Sequence, residues 1–195
     1  MSATSRRIFL IGSAALSAVA VTGCSTTSGS PSTPAEASAK RREIDAGVDA
    51  TLARLYAEIQ GSQELLQKAK GALVFPKVIA AGVGIGGEYG EGALRSGGRT
   101  VGYYKTTTGS LGLQLGAQSK AVIIAFMTDA AYQQFLNSNG WTAGADAGVA
   151  LLKVGANGRV DTSTATQPVV GFVLTNAGLM FNLSLEGTKI SKLEI

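Results

Sequence analysis

Glycine is the feature that most constrains the fold of this chain. Residues 71–187 hold 21 of its 26 glycines, more than twice the usual abundance of about 7%. Several lie inside apparent strands, namely Gly82, Gly84, Gly86, Gly112 and Gly116. Because glycine within a strand permits bulges, sharp bends and close backbone approach, we expect a strongly curved or partly closed antiparallel sheet.

The hydrophobic pattern of this half also predicts strands. Residues 111–115 and 181–185 alternate apolar with small or polar side chains, which is typical of half-buried strands. Residues 122–127 and 169–174 are continuously apolar, which predicts strands covered on both faces. Thr128 and Asp129 then predict a capped helix of two or three turns that ends near Asn137.

Residues 40–70 have a helical pattern instead. One apolar stripe recurs every three or four residues and consists of Ile44, Val48, Leu52, Leu55 and Ile59. Such a helix either packs on its own domain or lies on a membrane surface. The acidic residues on its polar face favour packing, because a helix dedicated to anionic membranes would be more uniformly basic. Ser62 resembles the cap of a second short helix.

The predicted fold class is therefore α+β. We expect N-terminal helices packed on a strongly curved, glycine-rich antiparallel sheet or barrel-like body with one further short helix. Residues 40–195 are the right length for one domain with a substantial core.

The first 24 residues predict export and lipidation. Arg6 and Arg7 precede an uncharged run, residues 8–21, that is short for a membrane span. The start resembles a twin-arginine signal, and the sequence VTGC ending at Cys24 resembles a bacterial lipobox. We expect a signal peptide at 1–23 and a lipidated Cys24, the only cysteine. The alternative is an ordinary cleaved signal with an incidental Cys24.

We predict that residues 24–39 are the lipidated cysteine followed by a flexible tether. Residues 25–39 contain no aromatic or large aliphatic side chain and are rich in Ser, Thr, Pro and Ala, so they cannot build a core. Ser25 resembles the residue that follows a lipidated cysteine in proteins sorted to the outer membrane. We therefore expect a lipid-anchored protein of the bacterial envelope, at the outer membrane if the cell has one.

Composition argues against several function classes. Without Arg6 and Arg7, 15 basic residues face 13 acidic ones, which gives no case for general nucleic-acid binding. The chain has no histidine, which removes Ser-His and Cys-His nucleophile systems and the common zinc sites. The glycine run at 82–87 does not open a helix, as a dinucleotide-binding loop must. We expect no enzymatic activity, no metal and no cofactor.

Residues 69–193 resemble the SYLF domain. The resemblance follows a series of ordered motifs: KGALVFP at 70–76, GVGIGGEYG at 82–90, GAQS at 116–119, AFMT at 125–128, WTAGAD at 141–146 and SLEG at 184–187. It implies a curved β body accompanied by helices and an association with phospholipids, particularly acidic ones. Some fungal relatives bind actin, which is not expected as a partner in a bacterial envelope.

Lipid binding of this kind needs exposed cations, since each Lys or Arg near an anionic surface contributes about 1 kcal/mol. The candidates for headgroup binding are Lys68, Lys70, Lys77, Arg95, Arg99 and Lys105. Any one of them is equally well explained as a solvated surface residue. Trp141, Tyr103 and Tyr104 are candidates for the lipid interface, although aromatic residues in a β domain more often belong to the core.

Two other function classes remain. The first is a structural or interaction protein of the envelope that binds another protein or a cell-wall component through a strand edge; a long uncovered edge with little basic surface would favour it. The second is an enzyme that uses carboxylates alone, which would need two acids converging in one pocket.

The lipobox resemblance gives a direct prediction. Replacing Cys24 by serine should abolish incorporation of labelled palmitate and release the mature protein from the membrane fraction, because the acyl chains provide the anchor. Metabolic labelling and cell fractionation check this. Continued labelling of the Cys24→Ser variant would show that the acyl chain is attached elsewhere, and an unlabelled wild type would show that Cys24 carries none.

Overall fold

Three helices and eight strands make up the part of the chain that the structure describes. This computed structural model covers residues 31, 33–112, 118–152, 160, 166–180 and 184–195, with the backbone alone at 81–85 and 110–112. The helices are α1 (Pro34–Glu58), α2 (Ser62–Lys68) and α3 (Asp129–Asn137). The strands are β1 (Gly71–Ser96), β2 (Arg99–Gly112), β3 (Gln118–Phe126), β4 (Trp141–Thr142), β5 (Ala150–Leu151), β6 (Val169–Thr175), β7 (Gly178–Leu179) and β8 (Lys189–Lys192).

Helix α1 begins at Pro34, inside the segment predicted as a tether. A capping box fixes this start: the Thr33 hydroxyl accepts a hydrogen bond from the Glu36 amide at 3.2 Å, and the Glu36 carboxylate accepts one from the Thr33 amide at 3.0 Å. Pro34 suits the first helical position because its missing N–H has no partner there anyway. The apolar stripe alone does not reveal these extra turns, since Ala35, Ala37 and Ala39 carry too little apolar surface.

The apolar stripe of α1 packs on the domain's own sheet. Ile44, Val48 and Leu55 are buried, and Ile59 just beyond the helix is buried with them. Leu52 is half-buried against the same core. The predicted helix is confirmed, and of its two alternatives the packed one is found.

Helix α2 is found where it was predicted, but Ser62 does not cap it. Gly61 is the N-cap residue, with a φ of 83° that favours glycine. The buried Ser62 hydroxyl donates instead toward the Leu55 and Ile59 carbonyls, at 3.2 and 2.7 Å. The hydroxyl therefore bonds to carbonyl groups at the end of α1 and not to amide groups at the start of α2. The prediction of a Ser62 cap is wrong.

Strand β1 doubles back on itself. Its 26 residues would extend for about 85 Å if straight, yet the Ser96 hydroxyl donates to the Lys70 carbonyl at 2.7 Å. The first arm, residues 71–80, pairs with β3, and the second arm, residues 84–96, pairs with β2. Glycine makes the contact between the arms possible, because a Cβ on Gly90 would lie 2.9 Å from the Lys77 carbonyl oxygen and one on Gly92 would overlap the Val74 carbonyl.

The strands form one strongly curved sheet, a half-barrel, in the order β4-β8-β2-β1-β3-β6-β5 with β7 also paired to β6. The predicted curvature and α+β class are confirmed. The prediction of a purely antiparallel sheet is wrong at one place, since β5 and β6 are parallel. A parallel pair needs a long crossover connection, and the 17 residues between Leu151 and Val169 provide it.

Two cores lie on opposite faces of this sheet. Alternate residues of β3 and β6 supply both: Ile123 and Phe172 face the core under α1 and α2, whereas Ile124 and Val173 face the other. This confirms that the two continuously apolar runs are strands covered on both sides. Helix α3, capped by Thr128 as predicted, closes the second core.

Some predicted features lie outside the described residues. They are the signal peptide and Cys24, Gly116, and most of each alternating segment, namely residues 113–115 and 181–183. Within the described ranges, no helix is both long and apolar enough to cross a bilayer.

The contact between the β1 arms predicts a large effect of one methyl group. Gly92→Ala should lower the free energy of unfolding by about 1–3 kcal/mol, because the new Cβ has to displace backbone rather than a flexible side chain. Urea unfolding of the chain from residue 25 onward measures it. Gly109→Ala is the matched control, since nothing lies within 4 Å of its Cβ position. Equal stability of both variants would contradict this account of β1.

Candidate functional site

The six cations predicted to bind lipid headgroups fall into two separate groups. The bond between Ser96 and the Lys70 carbonyl places the start of β1 beside the turn at Gly97 and Gly98. That turn group contains Lys68, Lys70, Arg95 and Arg99. Lys77 and Lys105 lie elsewhere, each about 20 Å further along its strand at the usual rise per residue.

Two members of the turn group are held by carboxylates. Lys70 lies 3.0 Å from Asp129. The Arg95 guanidinium lies 2.6 Å from Asp49 and 3.4 Å from Asp45, with its side chain only 18% exposed. Arg95 therefore fixes α1 to the second arm of β1. Lys68 and Arg99 are the exposed members without a carboxylate partner among the described residues.

Asp45 is the centre of the polar contacts that hold α1. Its two carboxylate oxygens accept hydrogen bonds from Thr100 at 2.7 Å and from the Tyr103 hydroxyl at 2.8 Å. Burial raises the pKa of Tyr103, and the bond to Asp45 raises it further. Beside these contacts, a pocket of about 340 Å³ opens between α1, α2 and the turn. Its polar residues Asp49 and Arg95 already neutralise each other.

Lys77 and Lys105 lie on a second surface, formed where α1 leaves its face of the sheet uncovered. Lys105 is paired in register with Glu91, which itself binds Lys40 of α1, so all three share the α1 face. Lys77 borders the same place, because its carbonyl approaches Gly90 and its side chain lines a cavity together with Glu91.

The next row of this surface is both apolar and basic. Tyr89 is paired in register with Thr107, and Thr107 with Lys189, while Ile79 lines the cavity with Tyr89. Ile79 is 42% and Tyr89 43% exposed. We call this surface the uncovered strip and define it by Lys77, Ile79, Tyr89, Lys105, Thr107 and Lys189.

The strip carries a surplus of positive charge. Glu91 is engaged by Lys40 at 2.5 Å and by the Tyr89 hydroxyl at 2.8 Å. Lys77, Lys105 and Lys189 have no carboxylate within ion-pair distance among the described residues. Glu43 lines the same cavity, of about 350 Å³. With Lys40 included, four ammonium groups face two carboxylates.

Sequence reasoning found two of the strip's cations but missed Ile79, Tyr89 and Lys189. Their alternation with buried neighbours was a signal that they share a face, but the register between the two β1 arms was not available from the pattern. Of the aromatic candidates, Trp141 and Tyr104 are 1% and 5% exposed in the core, where Trp141 packs against Phe126 and Phe135. Tyr103 is committed to Asp45.

Several acidic residues have structural roles in this fold. Glu88 pairs with Lys120 at 2.8 Å, and Asp146 accepts a hydrogen bond from the Thr142 amide at 2.6 Å. Among the described residues, no three His, Cys, Asp or Glu side chains lie together in a way that would hold a metal ion.

Comparison with protein families gives a match to this same body. Residues 107–194 match the family model described as Ysc84, Las17-binding protein actin regulator. The match agrees with the predicted SYLF resemblance over these residues. It runs from β2 through β8 and covers a little under half of the chain. Comparison with curated proteins gave no match. The strip's Thr107 and Lys189 lie inside the matched region, and its β1 residues precede it.

The strip predicts an unusual tyrosine titration. The pKa of Tyr89 is raised from its ordinary value of 10 to about 12, first by burial and then by the hydrogen bond to Glu91 and the Glu91 charge. The folded state favours the protonated phenol, so the protonated Tyr89 side chain contributes to the free energy of unfolding. This contribution is complete below pH 10 and is lost as the pH rises toward 12, because the unfolded chain loses the phenol proton first. NMR of isotope-labelled tyrosine rings should show this late titration.

Glu91→Gln should lower the Tyr89 pKa only part of the way, because the burial remains. Tyr89→Phe assigns the resonance. A Tyr89 that titrates at its ordinary value in the folded protein would contradict the described contact.

Proposed function

We propose that this SYLF-family protein is a lipoprotein of the bacterial envelope whose folded domain binds acidic phospholipid without catalysing a reaction. The acyl anchor predicted at Cys24 sets its location, and the domain itself provides the lipid contact. The observation that carries the proposal is the uncovered strip, where Lys77, Lys105 and Lys189 have no carboxylate partner among the described residues and lie beside exposed Ile79 and Tyr89. Anionic headgroups and an interfacial apolar layer complement such a surface.

The start of α1 supports this arrangement. With Thr33 capping the helix, the nine residues that follow Cys24 reach at most about 30 Å when fully extended. A domain held that closely stays within contact distance of the bilayer. The Lys40–Glu91 ion pair holds Lys40 of α1 beside the strip, whereas Pro31 and Ala37, at the start of the helix, line a pocket with Val101 and Ile195.

The described sheet edges give little support to binding through a strand edge. Strands β4, β5 and β7 are two residues long each. Strand β8 covers residues 104–107 of β2, and the Leu193 amide bonds to the Tyr103 carbonyl beyond it. Among the described residues, two stretches of β2 remain unpaired on this side, residues 108–112 and residues 99–102, and Val101 forms a bulge in the second, since Gly102 pairs with Leu94 and Thr100 with Arg95. A bulge disfavours the addition of a partner strand.

Actin regulation is the activity printed in the family description, and it is not part of this proposal, because an envelope protein of a bacterium does not meet actin. The absence of histidine from the sequence and the structural roles of its carboxylates support a non-catalytic role.

Vesicle co-sedimentation tests the proposal. The chain from residue 25 onward, which contains every described element and lacks Cys24, should sediment with acidic phospholipid vesicles and much less with neutral ones. Binding should weaken as salt is raised, since the attraction is between surface charges and a Debye length of about 10 Å at 0.1 M screens it. Failure to bind acidic vesicles at low salt would sink the proposal. Equal, salt-independent binding to both vesicle types would exclude headgroup charge as its basis.

A further inference from the structure

We infer that the uncovered strip is the face that lies on the bilayer, with Ile79 and Tyr89 entering the interfacial layer and Lys77, Lys105 and Lys189 contacting acidic headgroups. This inference rests on the proposed function and assigns it to one surface. It also assigns a subordinate role to the turn group, where four of the six cations predicted from the sequence are found.

The sheet holds the three lysines of the strip beside one another. Lys105 lies on β2 and Lys189 on β8, which are paired and lie about 4.8 Å apart. Lys77 lies on the first arm of β1, whose backbone contacts the second arm at Gly90, and its side chain lines the same cavity as Glu91, the register partner of Lys105. The positions of these lysines are therefore set by the sheet rather than by a loop.

The combination of side chains favours lipid over a purely electrostatic partner. Ile79 and Tyr89 are among the few large hydrophobic residues in the described chain that are more than 40% exposed. They stand next to each other between the cations. The Tyr89 hydroxyl is already bound to Glu91, so the ring presents an apolar face with its polar tip satisfied, which is the arrangement that tyrosine adopts at membrane interfaces.

Among the described residues, the turn group has two unpaired cations where the strip has three, and one strongly exposed large apolar side chain where the strip has two. Asp129 neutralises Lys70, and Asp45 and Asp49 neutralise Arg95. Lys68 and Arg99 remain exposed there. One strongly exposed apolar side chain of the described residues lies beside this group, namely Val101, two residues after Arg99 in β2; Met180, directly after β7, is the other such residue outside the strip.

A pair of matched double variants tests the assignment. Lys77→Gln with Lys105→Gln should lower the partition coefficient onto acidic vesicles about thirtyfold, since each cation near an anionic surface contributes about fivefold. Lys68→Gln with Arg99→Gln removes the same charge from the turn group and should change binding little. An equal loss from both pairs, or a larger loss from the turn pair, would overturn the inference while leaving the proposed function standing.

Tryptophan reporters test insertion independently of charge. The natural Trp141 is 1% exposed and serves as a constant background. Ile79→Trp should show a blue-shifted emission on acidic vesicles and quenching by brominated lipid. Met180→Trp is the matched control, because Met180 is 43% exposed but lies beyond β6 and β7 at the far side of the sheet; its emission should not change.

The outcomes separate the two proposals. If the wild-type chain does not bind acidic vesicles, the proposed function fails and the inference with it. If it binds, but position 180 is quenched and position 79 is not, lipid contact occurs through another face and only the inference fails. Circular dichroism of every variant confirms that the sheet is intact before binding is measured.

Discussion

The contact between the two arms of β1 is the constraint on which the rest of the structure depends. The arms approach so closely that Gly90 and Gly92 leave no room for a Cβ on the side facing Lys77 and Val74. Each arm pairs with a different strand, the first arm with β3 and the second arm with β2. Both cores are built on these pairings, and so is the row that joins Ile79, Tyr89 and Thr107. A single backbone contact thereby sets the hydrophobic interior and the outer basic surface together.

Helix α1 is attached in two different ways along its length. Its apolar stripe is short for a helix of 25 residues, since Ile44, Val48 and Leu55 are its fully buried aliphatic side chains. Polar contacts add to this apolar attachment, chiefly the hydrogen bonds from Thr100 and Tyr103 to the Asp45 carboxylate. These bonds are directional, so they fix where the helix crosses the sheet as well as how firmly it is held. The place where α1 crosses decides which part of the sheet face stays open.

Local patterns predicted most of the elements but not how they meet. The stripe that includes Ile44 and Val48, the capped helix after Thr128 and the two doubly covered strands all follow from residue spacing, because burial acts on each element with its own period. The start of α1 was missed because it is set by the hydrogen bonds of a capping box. The alanine-rich first turns carry no apolar stripe that would predict a helix there. The parallel pairing of β5 with β6 is set by the crossover before β6, which no strand pattern encodes.

The residues of the uncovered strip show most clearly that local patterns do not predict which residues meet. Lys77 and Lys105 were predicted as headgroup ligands together with Lys68 and Arg99, but the fold separates the two pairs, because distance along the chain is a poor guide once a strand reverses. Lys189 is 84 positions from Lys105 along the chain, yet it lies on the adjacent strand. Residues that meet only through register cannot be grouped before the register is known.

The short outer strands have a consequence for how many copies of this protein share a surface. A sheet of eight strands with long exposed edges would offer a template to its neighbours, and crowding would favour the growth of cross-β aggregates. Here the outermost described strands are two residues long, and of the two stretches of β2 that β8 leaves unpaired, residues 99–102 are distorted at Val101 and residues 108–112 are short. Copies of the molecule can therefore come close together while each keeps most of its backbone hydrogen bonds to itself.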